Sequence, residues 1–137
     1  MNMNTISSSL SKIIEYSNGD KEWRINSILH REDGPAIEWK NGDTEWHLNG
    51  KRHRKDGPAV EYANGNKCWY FNGELHRENG PAVEHANGDK EWWNSGKLHR
   101  EDGPAIERYN GNKFWWLNGH KIEYDPETWD LKVEESR

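Results

Sequence analysis

The sequence predicts an all-β fold, an elongated and twisted antiparallel meander of tandem hairpin repeats. Three observations lead there. The chain matches itself at a spacing of 23 residues: Trp23, Trp46, Trp69, Trp92 and Trp115 form one column, Glu15, Glu38, Glu61, Glu84 and Glu107 another, and Ile14, Ile37, Val60, Val83 and Ile106 a third beside it. Every unit carries two turn signals, an Asn-Gly such as Asn41-Gly42 and a second such as Asn49-Gly50. The segments between them, for example Lys90-Glu91-Trp92-Trp93, are too short for helices and rich in the aromatic residues that strands favour.

Taken in order, residues 1–12 are polar and are expected to form an N-terminal cap or a flexible segment, with Ile6, Leu10 and Ile14 spaced for a short amphipathic turn. The repeats span residues 13–119. In each unit the first turn, at Asn18-Gly19, Asn41-Gly42, Asn64-Gly65, Asn87-Gly88 and Asn110-Gly111, reads as a two-residue type I′ turn, because Asn-Gly tolerates positive φ at both central positions. That register pairs Ile14 with Trp23 and Glu15 with Glu22, so that Ile14, Trp23 and Ile25 share an apolar face and Glu15, Glu22 and Arg24 a polar one. Strands about 4.8 Å apart put like positions of successive units roughly 10 Å apart, so each Trp is expected to pack on aliphatic residues of the intervening strands. The second turn falls at Asn26-Ser27, Asn49-Gly50, Asn72-Gly73, Ser95-Gly96 and Asn118-Gly119. A connector then returns the chain to the next unit through His-Arg and Gly-Pro-Ala, as in His53-Arg54 and Gly57-Pro58-Ala59. It is expected to be kinked, since proline lacks an N–H and glycine permits a bulge.

Residues 120–137 are the C-terminal cap. Ile122-Glu123-Tyr124 resumes the unit, and Trp129, Leu131 and Val133 alternate with polar residues as in a degenerate hairpin. A short helix with Asp125 as N-cap and Pro126 at its first position is the alternative.

Composition narrows the function. The chain has 137 residues, only 31% of them hydrophobic, yet it carries 9 Trp and 13 Gly. Its mean hydropathy is -1.29. Such polarity alone would suggest disorder, but each Trp can bury roughly 150–250 Å², so a few aromatics replace many aliphatics. A net charge of -5, well mixed along the chain, offers no basic tract for sequence-specific nucleic-acid binding. Cys68 has no partner for an internal disulfide and points to a reducing compartment. Met1 to Lys12 lack the basic and apolar regions of a secretion signal, and no apolar run approaches the ~18 residues of a membrane span. A cytoplasmic location is the expectation.

The pattern resembles the MORN repeat family, whose unit centres on aromatic-x-x-Gly-x-x-His. Trp93-Asn94-Ser95-Gly96-Lys97-Leu98-His99 and Tyr70-Phe71-Asn72-Gly73-Glu74-Leu75-His76 fit it, and His47-Leu48-Asn49-Gly50 keeps the spacing with His in the aromatic place. The resemblance covers about residues 13–119. Arg31, Arg54, Arg77 and Arg100 stand where the family has Gly after His, and Pro follows the later Gly, which is similar to a variant class of bacterial and viral chains. The resemblance implies a long twisted sheet and roles in protein interaction and oligomerisation, including a viral host-interaction role.

Candidate sites fall into two sets. His53, Arg54, His76, Arg77, His99 and Arg100 could line an anion-binding face, since Arg forks suit carboxylate or phosphate. Their recurrence in every unit favours a scaffold role, with Arg pairing to a Glu of a neighbouring strand. No metal is expected, because one such His per unit at roughly 10 Å spacing cannot share an ion. Glu15/Glu22, Glu38/Glu45 and Glu84/Glu91 recur with the unit and imply no catalytic pocket, and phosphate loops and nucleophile motifs are lacking, so neither an enzyme nor a cofactor is expected. Positions where the units disagree are more informative. Arg24, His47, Tyr70, Trp93 and Trp116 form a column that turns aromatic along the chain, and Glu22, Glu45, Cys68, Glu91 and Phe114 change likewise at their end. His47, Tyr70, Trp93, Phe114 and Trp116 are therefore the candidate surface for another protein, or for a second copy in a homodimer. Sequestration of an anionic small ligand or nucleotide signal by the His-Arg columns is the alternative.

Overall fold

The computed structural model describes residues 11–137. The expected amphipathic turn involving Ile6 and Leu10 lies outside the described residues. In chain order the elements are β1 (Lys12–Glu15), β2 (Lys21–Ile25), β3 (Ile28–Leu29), β4 (Ile37–Glu38), β5 (Thr44–Glu45), β6 (His47–Leu48), β7 (Lys51–Arg52), β8 (Val60–Glu61), β9 (Lys67–Cys68), β10 (Tyr70–Phe71), β11 (Glu74–Leu75), β12 (Val83–Glu84), β13 (Lys90–Glu91), β14 (Trp93–Asn94), β15 (Lys97–Leu98), β16 (Ile106–Glu107), β17 (Lys113–Leu117), β18 (His120–Ile122) and α1 (Trp129–Ser136). The main sheet runs β1-β2-β4-β5-β8-β9-β12-β13-β16-β17-β18, with β3 also on β2, and the ribbons β6-β7, β10-β11 and β14-β15 stand beside it. Each pairing is antiparallel, so the all-β meander expected from the sequence is the observed fold. No helix among the described residues is long and apolar enough to cross a membrane.

The first turn of a unit does not take the two-residue conformation that Asn-Gly suggested, whereas the second turn does. At the first, Gly19 N–H donates to Tyr16 O at 2.9 Å and Tyr16 N–H to Asp20 O at 2.9 Å, and only Gly19 of the loop has positive φ, at 99°. That is a three-residue loop with a glycine bulge. The second turn is the two-residue one: Asn49 and Gly50 have φ of 52° and 81°, and Leu48 pairs with Lys51. The residue after each first-turn glycine explains the choice. Asn18 Oδ1 accepts the Asp20 N–H at 3.0 Å, and Asp20 Oδ1 in turn accepts the Lys40 N–H of the next hairpin at 2.8 Å. Asp43, Asn66 and Asp89 repeat that inter-unit link.

The extra loop residue shifts the register by one and redistributes the faces. Ile13, not Ile14, lies opposite Trp23, while Ile14 faces Glu22 and Glu15 faces Lys21. One face therefore carries the column Ile14, Glu22, Ile37, Glu45, Val60, Cys68, Val83, Glu91, Ile106 and Phe114, aliphatic residues alternating with the Glu column. The other carries a ladder in which Glu38 sits between Lys21 and Thr44, Glu84 between Lys67 and Lys90, and Glu107 between Lys90 and Lys113. The expected Glu15/Glu22, Glu38/Glu45 and Glu84/Glu91 pairs are thus not opposite one another, and unlike charges meet across the strands instead.

The buried residues are small. Ala36, Ala59, Ala82 and Ala105 have no exposed surface, and Ile37, Val60, Val83 and Ile106 beside them are buried. Each Ala carbonyl accepts the N–H of the Trp that follows the preceding hairpin, as Ala59 O does from Trp46 at 2.6 Å. At the C-terminus the hairpin β17-β18 does form, but the segment after it is α1 rather than a strand. Trp129 and Val133 are four residues apart, on one helical face, and bury themselves against Leu117, with Trp115 and Ile122 alongside. The helix starts three residues later than Asp125-Pro126 suggested. Asp125 instead caps a turn, accepting Glu127 N–H at 3.0 Å, and Thr128 is the N-cap.

Candidate functional site

The connectors are built around the arginine. Arg31, Arg54, Arg77 and Arg100 lie over the rings of Trp23, Trp46, Trp69 and Trp92, with Cζ 4.0, 4.0, 3.9 and 3.8 Å from the ring centroids. On this side Trp23, Trp46, Trp69 and Trp92 thus pack under a guanidinium rather than under the aliphatic residues expected. Nη1 of the four donates to the carbonyls of Pro35, Pro58, Pro81 and Pro104 at 3.0–3.1 Å. It also reaches Glu38 at 3.3, Glu61 at 3.2, Glu84 at 2.9 and Glu107 at 3.6 Å. The guanidinium rests directly on the glycine of the connector: a Cβ on Gly57 would stand 2.8 Å from Arg54 Cζ. Arg, Gly, Pro and Trp therefore recur together because each fills the space the others leave.

The histidines join neighbouring units. His30, His53, His76 and His99 accept, at Nδ1, the backbone N–H of Asn49, Asn72, Ser95 and Asn118, at 2.9–3.0 Å. An accepting Nδ1 places the ring proton on Nε2, which faces Glu32 at 3.6, Glu78 at 2.9 and Glu101 at 3.3 Å in three of the four. The last unit has no connector. Tyr124 stacks on Trp115 there, with centroids 4.2 Å apart, in the place the guanidinium takes elsewhere.

The variable column lies on the opposite face, beside the alternating aliphatic and Glu residues. Its members bind the Glu two positions earlier. Arg24 Nε donates to Glu22 at 2.9 Å, His47 Nε2 to Glu45 at 2.9 Å and Trp93 Nε1 to Glu91 at 2.8 Å. The hydrogen bond from Arg24 holds Glu22 below the ordinary carboxylate range against its burial. Glu45 is more enclosed, at 7% exposure, as is His47. Burial pushes the Glu45 carboxyl up, but the hydrogen bonds from His47 and Arg52 outweigh it and leave the group below its ordinary value. In the third unit the Glu is replaced by Cys68, whose thiol burial pushes up, and Tyr70 takes its bond from Arg52 Nη1 at 3.2 Å instead. Arg52 thereby links Glu45 to Tyr70, a part that sequence reasoning missed. Its signal was a departure from type, since Leu29, Leu75 and Leu98 hold that position in other units.

Tyr70, Trp93, Phe114 and Trp116 are half-buried, whereas His47 is buried. The five do not converge on a pocket; they line one face from the second unit to the last. Trp116 Nε1 is enclosed without a hydrogen-bond acceptor, and Lys121 Nζ stands 4.7 Å above the Phe114 ring. Tyr16 and Tyr62 lie on the same face with large exposed surfaces. Among the described residues no group of three or more His, Cys, Asp or Glu side chains is gathered as a metal ion requires. No protein-family model matches the chain, and the curated proteins include no match to it.

Proposed function

We propose that the chain is a non-enzymatic interaction module, of the MORN-like kind its sequence resembles, that works in the cytoplasm by presenting one face of its sheet to another protein. One observation carries the reading. The face opposite the connectors holds a row of half-exposed aromatics, Tyr70, Trp93, Trp116 and Phe114, with the carboxylate of Glu91 held among them by the Trp93 indole. Large rigid aromatics with polar groups beside them are what interface cores use. The connector residues suit a ligand less well. Nη1 of Arg54, Arg77 and Arg100 is already committed to a proline carbonyl and lies near a Glu carboxylate while the guanidinium stacks on Trp, so an anion there would compete with that Glu for the same cation.

The test is affinity capture from a lysate with the wild-type chain and with the Trp93→Ala/Trp116→Ala double variant, the fold of each checked by circular dichroism. A protein retained by the wild type and lost by the folded double variant supports the reading. Equal retention by both rejects it.

A further inference from the structure

An Asn followed by Gly is the peptide step best suited to attack of a backbone nitrogen on a side-chain amide, because glycine has no Cβ to hinder the approach. The sequence holds nine such steps. In eight of them the glycine nitrogen is engaged, at 2.8–3.0 Å. In the first turns, from Gly19 to Gly111, the glycine N–H donates within its own loop. The Asn side chain is held there as well, as when Asn18 Oδ1 accepts the Asp20 N–H at 3.0 Å. In the second turns Gly50, Gly73 and Gly119 donate to carbonyls of the preceding unit, those of Leu29, Arg52 and Leu98. A nitrogen so held must lose its bond before it can give up a proton and turn on the neighbouring side chain.

The ninth step is Asn79-Gly80, in the third connector. Asp33, Asp56 and Asp102 occupy the place of Asn79 in the other three. Asn79 is exposed, and its side chain has no polar partner among the described residues. The chain turns at Glu78 and Asn79, yet the Gly80 N–H closes no hydrogen bond of the kind that holds the other eight. A cation stands beside it: a Cβ on Gly80 would lie 3.1 Å from Arg77 Cζ. Arg77 Nη1 is taken up by Pro81 O at 3.0 Å and Glu84 at 2.9 Å. In the sister connectors Arg31 and Arg100 also use Nε, on Asp33 at 3.2 Å and on Asp102 at 3.1 Å. The third connector thus keeps the arginine and lacks the carboxylate. A guanidinium already in place also favours the negative charge that develops during the attack.

We propose that Asn79-Gly80 is a self-modification site, where Asn79 deamidates and supplies the acidic residue that the other connectors carry from the start. The Gly80 nitrogen loses its proton to solvent and bonds to Asn79 Cγ. The Cγ–Nδ2 bond breaks, and Nδ2 takes up a proton and leaves as ammonia. One water then opens the resulting succinimide ring. Attack at Cγ returns a normal backbone with aspartate at position 79, whereas attack at the backbone carbonyl gives isoaspartate. The net change consumes one water and releases one ammonia, with no oxidation or reduction. The aspartate product meets Arg77 Nε as Asp102 meets Arg100.

The test is incubation of the full chain at mildly alkaline pH, native and in urea. Each Asn-Gly peptide is followed by mass spectrometry for amide-to-acid exchange, and isoaspartate is read separately by enzymatic methylation. In the native chain Asn79 is expected to convert about tenfold faster than the other eight, the rate factor of one hydrogen bond that must first break. In urea, where every one of the nine keeps its glycine and loses its structure, the rates are expected to converge. Asn79→Gln, a surface change that can close only a larger ring, is expected to remove the fast conversion. A native rate at Asn79 no greater than at another Asn-Gly step overturns the proposal. So does a lead that persists undiminished in urea, which places its cause in the local sequence, or a fast conversion that survives in Asn79→Gln.

Discussion

Gly57→Ala is a one-carbon change whose cost should depend almost wholly on a different residue. A Cβ there stands 2.8 Å from Arg54 Cζ and 3.0 Å from Nε, so the guanidinium must leave its seat. What Arg54 then loses can be summed. Its stacking on Trp46 at 4.0 Å contributes about 0.5–1 kcal/mol at a partly exposed site. The charged hydrogen bond to Pro58 O at 3.1 Å contributes about 1.5 kcal/mol. The pair with Glu61, whose side chain is 42% exposed, adds no more than about 0.5 kcal/mol after screening. Arg54→Ala should therefore cost about 2–3 kcal/mol. Gly57→Ala should cost slightly less, about 1.5–2 kcal/mol, because alanine also reduces the freedom of the unfolded chain. With Arg54 already Ala the clash is gone, and Gly57→Ala should be neutral or stabilising by about 0.5 kcal/mol. The cycle is measured by urea unfolding, read by tryptophan fluorescence and far-ultraviolet circular dichroism. A coupling near 2 kcal/mol is expected for residues in contact. Additive costs would show that the glycine is needed for its own backbone and would refute the interlocking account of the connector.

Three further outcomes follow from the geometry. Glu45 has a folded-state pKa below its unfolded value, so its contribution to stability is present above the unfolded carboxylate range and is lost as pH falls through the folded pKa. The stability gap between wild type and Glu45→Gln should accordingly narrow between neutral pH and strong acid, and a constant gap would contradict the assignment. Trp93→Phe removes the 2.8 Å bond to Glu91 and should cost about 1 kcal/mol in urea unfolding, while Trp116→Phe removes an N–H with no acceptor and should be neutral or stabilising. Losses of similar size in both would refute the difference. His76→Ala frees the Ser95 N–H, so hydrogen exchange at Ser95 should accelerate at least about tenfold while that at Asn72, held by His53, stays unchanged.

The repeat, its two hairpin turns and the columns were legible because a period of 23 residues exposes them without any energy calculation. Which residues share a face was not, and the cause was local. Asn-Gly fits a two-residue turn and the last two positions of a bulged three-residue loop equally well. The deciding residue is the Asp or Asn after Gly, whose side chain reaches the next unit, as Asp20 does to Lys40 N–H. One residue of slip then moved Trp23 away from Ile14 and brought Ile14 and Glu22 together. At the C-terminus the spacing of Trp129, Leu131 and Val133 suggested alternation, yet Leu131 is exposed and only the helical pair Trp129 and Val133 is buried. The aromatic column stood out as a departure from the repeat. The bond of Arg52 to Tyr70 depends on how neighbouring hairpins lean together, which no single unit encodes.

The central claim is that the aromatic face carries a protein partner. Hydroxyl-radical footprinting of side chains, with and without a partner captured by the wild-type chain, tests it most directly. Lowered labelling of Tyr70, Trp93 and Trp116 in the complex, with His99 and Trp92 on the other face unchanged, is the expected result. Unchanged labelling of all three aromatics in a complex that does form would contradict the claim.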